Sequence, residues 1–179
     1  SSNLERQLFE LTGRNAEAIA GWMNDLNTQK KFRVDPETFA ALRKDFASDS
    51  VSSNDCLKTI KEVLDEHDYL LDPHTAVAYK VAERLRGENP ILVASTAHWA
   101  KFGVSVYRAL HDLAPDAGLP ADVAELTGCE LNNLIAQQTG KSHIPAGLAE
   151  LDTKPLRFKQ VIDAGKPNIQ DATRAFLSE

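Results

Sequence analysis

The chain has 179 residues, 42% of them hydrophobic and 26% charged, with a net charge of −6. That is room for one large domain or two small ones, and the composition excludes wholesale disorder. The acidic balance argues against a general binder of phosphate backbones, so no nucleic-acid partner is expected. No apolar run approaches the roughly 20 residues that span a bilayer. No basic-then-apolar leader is visible, so no membrane partner and a cytoplasmic location are expected. Cys56 and Cys129 lack CxxC spacing and suit free thiols in a reducing setting.

The sequence opens Ser1-Ser2-Asn3-Leu4-Glu5, and Ser2 and Glu5 have capping-box spacing. A helix is expected almost from the first residue, which reads as a cut chain, deliberate or proteolytic. Leu4, Leu8, Phe9 and Leu11 form an apolar stripe that Gly13 stops. Asn15 caps a second helix carrying Ile19, Trp22, Met23 and Leu26. Asp35-Pro36 opens a third, with Asp as cap and Pro in the first turn, and Phe39, Leu42 and Phe46 as its expected buried face. Ser53 or Asn54 starts a fourth, with Leu57, Ile60, Val63 and Leu64 at helical spacing.

The pattern then changes. Tyr69-Leu70-Leu71 reads as a short strand, and Asp72-Pro73 repeats the cap-plus-proline start of a helix running to Arg86. Ile91-Leu92-Val93-Ala94 is apolar without alternation, as a buried parallel strand requires. Helix is expected again over Ala97–Phe102 and Val104–Leu113. Further on, Ala121–Gly128 and Leu131–Gln138 are helical candidates, Gly140–Pro145 a loop, and Arg157–Ile162 a possible strand. Asn168 is expected to cap a last helix with Ala172, Ala175, Phe176 and Leu177 inward. Strand-helix alternation of this length is α/β wiring.

Ligands in parallel α/β sheets sit where strands lead into helices. Two such places carry polar residues: Leu71-Asp72-Pro73-His74-Thr75 and Ala94-Ser95-Thr96-Ala97-His98-Trp99-Ala100-Lys101. Each residue has a plainer reading. Asp72 is first a helix cap, Thr96 can cap its own helix, and a single histidine is more often scaffold than base. No His, Cys or carboxylate group has metal-ligand spacing, and no GxSxG, Walker or GxGxxG pattern occurs.

The runs Leu70-Leu71-Asp72-Pro73-His74-Thr75-Ala76-Val77 and Ser95-Thr96-Ala97-His98-Trp99-Ala100-Lys101-Phe102, with Ser2-Asn3-Leu4-Glu5-Arg6, resemble the carboxyl-terminal part of the threonine synthase family. The family's corresponding stretches read close to SNFER, DPHTAVG and TAHPAKF. Ile144-Pro145-Ala146 and Pro155-Leu156-Arg157-Phe158 extend the resemblance weakly toward the end. Leu4, Ala78 and Trp99 depart from the family's Phe, Gly and Pro.

The resemblance implies an α/β, helix-rich fold: a partial parallel sheet from a fold type II pyridoxal-phosphate enzyme plus a carboxyl-terminal helical extension. It divides the chain into 1–114, the end of the cofactor-binding large domain, and 115–179, a closing subdomain. It implies a lyase that converts O-phosphohomoserine and water to threonine and phosphate. Thr96 would meet the cofactor's pyridine nitrogen, with Ser95 as runner-up, and His74, Thr75, His98 and Asp72 would be substrate-side or supporting groups. No catalytic residue and no metal ligand falls in this chain. The family's Schiff-base lysine and Gly-rich phosphate loop have no counterpart among the 179 residues. The chain alone is therefore expected to be inactive, to bind no pyridoxal phosphate, and to self-associate through uncovered apolar faces. Two alternatives stay open: a non-catalytic α/β interaction or regulatory module, and an unrelated small-anion binder using the same two loops.

Overall fold

The computed structural model describes residues 2–141, 143–157 and 159–178, and it divides into two compact units, 1–51 and 52–179. The Ser2 side chain lies outside the described ones, and with it the expected Ser2–Glu5 capping box.

The first unit holds α1 (Ser2–Leu11), α2 (Ala16–Gln29) and α3 (Pro36–Asp45). Gly13 ends α1 in the left-handed region at φ +65, where a residue without Cβ is unstrained. Asn15 caps α2 by accepting the Ala18 N–H at 3.1 Å. Asp35 caps α3, taking the Thr38 N–H at 2.8 Å and the Thr38 hydroxyl at 2.7 Å. Those bonds, the backbone one foremost, hold the Asp35 carboxyl below the usual carboxylate range. α1 packs on both α2 and α3, with Leu8 and Ile19 buried. The buried residue of α3 is Thr38, and Phe39 and Phe46 are each half exposed. One residue is about 100° of helix rotation, so an inward Thr38 turns Phe39 aside. Phe46 has already left the helix, as its extended C-cap.

The second unit begins with α4 (Ser53–His67), whose buried residues Cys56, Leu57, Ile60 and Val63 share one face. Against α4 pack α5 (Pro73–Leu85) and α6 (Gly103–Leu110), and α6 packs on α8 (Gly128–Thr139). Ile60, Val106 and Ile135, one from each of α4, α6 and α8, are fully buried. α7 (Ala121–Ala124) and α9 (Ala146–Ala149) are single turns, and α10 (Lys166–Leu177) closes the described chain. α8 carries a complete capping box, Thr127 with Glu130. α10 starts from Gly165, not Asn168, and Phe176 and Leu177 are exposed rather than inward.

The expected sheet is absent: the described residues are helical, with no strand among them. Tyr69–Leu71 is an irregular link in which Leu70 and Leu71 are buried between helices. Ile91–Ala94 is equally irregular, and Leu92 stands 96% exposed. Of the possible third strand, Phe158 lies outside the described residues, and Val161 and Ile162 are exposed and unpaired. A strand exists only by pairing, because its N–H and C=O groups otherwise turn to water. The apolar runs are present in the sequence, but the described chain places no partner strand beside them. Helix is also shorter than expected after residue 97. It is one 3-10 turn, Trp99–Lys101, before α6.

The α4–α6 core yields a direct test. Ile60→Ala should cost about 2–5 kcal/mol, the range for truncating a buried aliphatic side chain, and should lower the urea midpoint with an unchanged slope. A loss under about 1 kcal/mol would mean that the face is not close-packed.

Candidate functional site

Both polar loops singled out in the sequence belong to the second unit, and the structure brings them together. α4 ends at Asp68, whose left-handed φ of +54 and N–H bond to the Leu64 carbonyl turn the chain back. Leu70 and Leu71 anchor the link, which delivers Asp72 to the start of α5.

Asp72 is 2% exposed. Its Oδ1 accepts the His74 N–H at 2.9 Å and the Thr75 N–H at 3.3 Å, and lies 3.4 Å from His74 Nδ1. Its Oδ2 takes the Thr75 hydroxyl. The carboxylate is thus a cap, as its plain reading has it, and also the centre of a local network. Because the single proton of Thr75 goes to that carboxylate, Thr75 Oγ1 can only accept from Ser95 Oγ, 3.1 Å away. This contact joins the first loop to the second. The His74 ring is two-thirds exposed and lies against Phe102, with ring centroids 4.8 Å apart.

His98 caps the 3-10 turn: its Nδ1 accepts the Ala100 N–H at 3.2 Å. Thr96 therefore does not cap it, and Thr96 is exposed. The His98 ring faces His143, with centroids 6.4 Å apart. Burial first, and His143 second, push the imidazole below its ordinary pKa, while Asp72 and a bond with the His143 backbone pull the other way. Cys56 donates to the Pro73 carbonyl at 3.3 Å. Burial, then the Asp72 charge, raises its thiol, so Cys56 is a protonated packing group and not a nucleophile.

A cleft of about 490 Å³ opens beside these residues, lined among others by Asp72, Ser95, His98, Trp99, Lys141 and His143. Of the residues picked from sequence, Asp72, Ser95 and His98 line it. Thr75 supports it from behind, and His74 and Thr96 are outside its lining. Lys141 and His143 were not legible, since the sequence shows them only in a loop. Lys141 is held by Asp68 at 2.5 Å, a tie between residues 73 positions apart that no local spacing announces. Among the described residues no cluster could hold a metal ion, and no helix is long and apolar enough to cross a membrane.

The family model described as "Threonine synthase, C-terminal" matches residues 75–133. Threonine synthase of Pseudomonas aeruginosa is 38% identical over 128 residues, which is 70% of this chain and 27% of that protein. Over these residues the chain is similar to the carboxyl-terminal part of threonine synthases. Human "Threonine synthase-like 1" is 36% identical over 111 residues, 62% of this chain and 15% of that protein. Among solved structures, the crystal structure of pyridoxal-phosphate-bound threonine synthase from Brucella melitensis is similar at a TM-score of 0.53 and 33% identity, over 80% of this chain and 32% of that one. The chain thus spans about a quarter or less of the curated relatives it matches.

The depressed pKa of His98 has a sign. A native state that disfavours the imidazolium is fully stable above the unfolded value of about 6.5 and loses stability as pH falls below it. Thermal stability should decline from pH 7 to pH 5, and His98→Gln should remove part of that decline. An unchanged pH profile in His98→Gln would show that His98 titrates freely.

Proposed function

We propose that this chain forms one wall of the active site of a threonine synthase, the enzyme that converts O-phosphohomoserine and water to threonine and phosphate. The observation that carries this reading is the Thr75–Ser95 contact, which joins the two loops bearing the family's motifs beside a single cleft. An interaction module would need neither those motifs nor their convergence.

The chemistry of the donor set decides how far the residues suit pyridoxal phosphate, and they suit one edge of it. A pyridine nitrogen met by a neutral hydroxyl stays unprotonated, whereas a carboxylate would hold its proton. Ser95 is tied to Thr75 and lies 3.4 Å from the Ala97 carbonyl, while Thr96 is exposed and its hydroxyl is available. By its place in the motif Thr96 is the residue assigned to the ring nitrogen, although it is outside the cleft lining, and Ser95, which lines the cleft, is the runner-up. His98, His74, Thr75 and Asp72 are assigned to the substrate side of the wall or to its support. When bound, pyridoxal phosphate supplies the electron sink for carbanion chemistry. This chain holds and orients its ring edge and brings no covalent anchor. No lysine here lies in a family lysine motif, and Lys141 in the cleft is paired with Asp68.

Grafting tests the reading. Replacing the matched segment of the Pseudomonas aeruginosa enzyme with this chain should give a chimera that releases phosphate from O-phosphohomoserine. The 179 residues alone should release none and show no cofactor absorbance. A chimera that folds and takes up cofactor yet does not turn over would favour a non-catalytic module. Within the active chimera, Thr96→Val should preserve the fold, shift the cofactor spectrum and lower turnover. A spectrum and rate that both stay put would remove Thr96 from the ring nitrogen.

A further inference from the structure

Asn132 belongs to α8, is 6% exposed, and has no place in the cleft described above. Its Nδ2 donates to the Ala100 carbonyl at 2.8 Å. The N–H of the same Ala100 donates to His98 Nδ1 at 3.2 Å. Ala100 is thus gripped at both backbone polar groups, by Asn132 on one side and by His98 on the other. This makes a continuous chain of hydrogen bonds from α8 to the imidazole.

The other end of the amide shows what the grip is for. Asn132 Oδ1 is buried and has no hydrogen-bond partner among the described residues. It lies over Gly103, where a Cβ would come within 2.8 Å of it. A buried acceptor without a donor is destabilising, so an apolar side chain of the same size would pack this spot better. What an apolar residue could not do is hold Ala100 by its carbonyl. Gly103, by lacking a side chain, leaves the amide room to do so.

We propose that Asn132 is a positioning residue for His98. By holding Ala100, with Gly103 making space, it keeps the Ala100 N–H on Nδ1 and so locks the neutral imidazole with its proton on Nε2. The charged and titratable groups around that imidazole are His143 and Asp72, with Lys141 and its partner Asp68 along the same cleft. The Ala100 N–H meets Nδ1, and the ring also bonds the His143 backbone, so the Ala100 side sets the tautomer together with that bond. The importance of this for catalysis rests on the reading of the cleft as an active-site wall, whereas the lock itself does not.

The test is nitrogen-15 NMR of the histidines in the 179-residue chain, comparing the parent with Asn132→Leu, Asn132→Ser and Gly103→Ala. In the parent, His98 should be the Nε2–H tautomer and titrate below the ordinary histidine value. Each folded variant should gain Nδ1–H tautomer, and the His98 midpoint should rise toward the ordinary value, because an N–H bond to Nδ1 favours the neutral ring. A merely structural role predicts lower melting temperatures with the tautomer and midpoint unchanged, and that result in any folded variant overturns the proposal. The same substitutions in the chimera keep the two readings apart. An altered tautomer with unaltered turnover upholds the lock and counts against His98 as part of the active-site wall.

Discussion

The buried carboxylate of Asp72 is the constraint on which the site depends. A charge placed where water cannot reach it is costly unless its oxygens are met. Here they are met by the first turn of α5, through two backbone N–H groups, and by the Thr75 hydroxyl. The helix N-terminus adds the favourable end of its dipole. The carboxylate cannot move without losing these partners, so it fixes where α5 starts. The same requirement uses up the Thr75 proton and leaves Thr75 Oγ1 as an acceptor, which draws Ser95 in from the second loop. One buried charge thereby sets the relation between two segments about twenty residues apart.

Helices were largely legible because their signals are local. Asn15, Asp35 and Asp72 each cap the helix they precede, and Gly13 ends α1. The expected sheet does not form among the described residues, because the signal for a sheet is not local. An apolar run such as Ile91–Ala94 shows that side chains are to be buried, and it cannot name what buries them. The exposure of Leu92 and Val161 shows that nothing in the described chain does so. The two candidate loops are legible through the resemblance and through their polar residues after apolar runs. Their meeting is real although the strands meant to deliver them are absent. Lys141, His143 and Asn132 stayed invisible because each acts through a partner at least 32 positions away in the sequence, at Asp68, His98 and Ala100.

Burial also sorts the reactive side chains by what they can do. Cys56, pressed against Pro73 and near the Asp72 charge, is held as a thiol and serves packing. His98 is kept neutral by burial and by its neighbour His143, so at neutral pH it donates from one nitrogen and accepts at the other. His74 remains mostly exposed, with its ring against Phe102. Two histidines in similar sequence settings, each just after a cap-like residue, therefore play different parts. One is built into the turn, and the other lies on its surface.

The neighbours Ser95 and Thr96 show how a supporting contact can create an available one. Ser95 is committed to Thr75, whereas Thr96 is exposed. The cap that Thr96 could have supplied to the next turn is taken by His98. With both internal uses of a hydroxyl assigned to other residues, the Thr96 side chain has no competing partner within its own loop. A hydroxyl that must serve a ligand is best left in that condition, because each internal bond would have to break before the ligand could be met. The proposed role of Thr96 at the ring nitrogen rests on this division of labour as well as on its place in the motif.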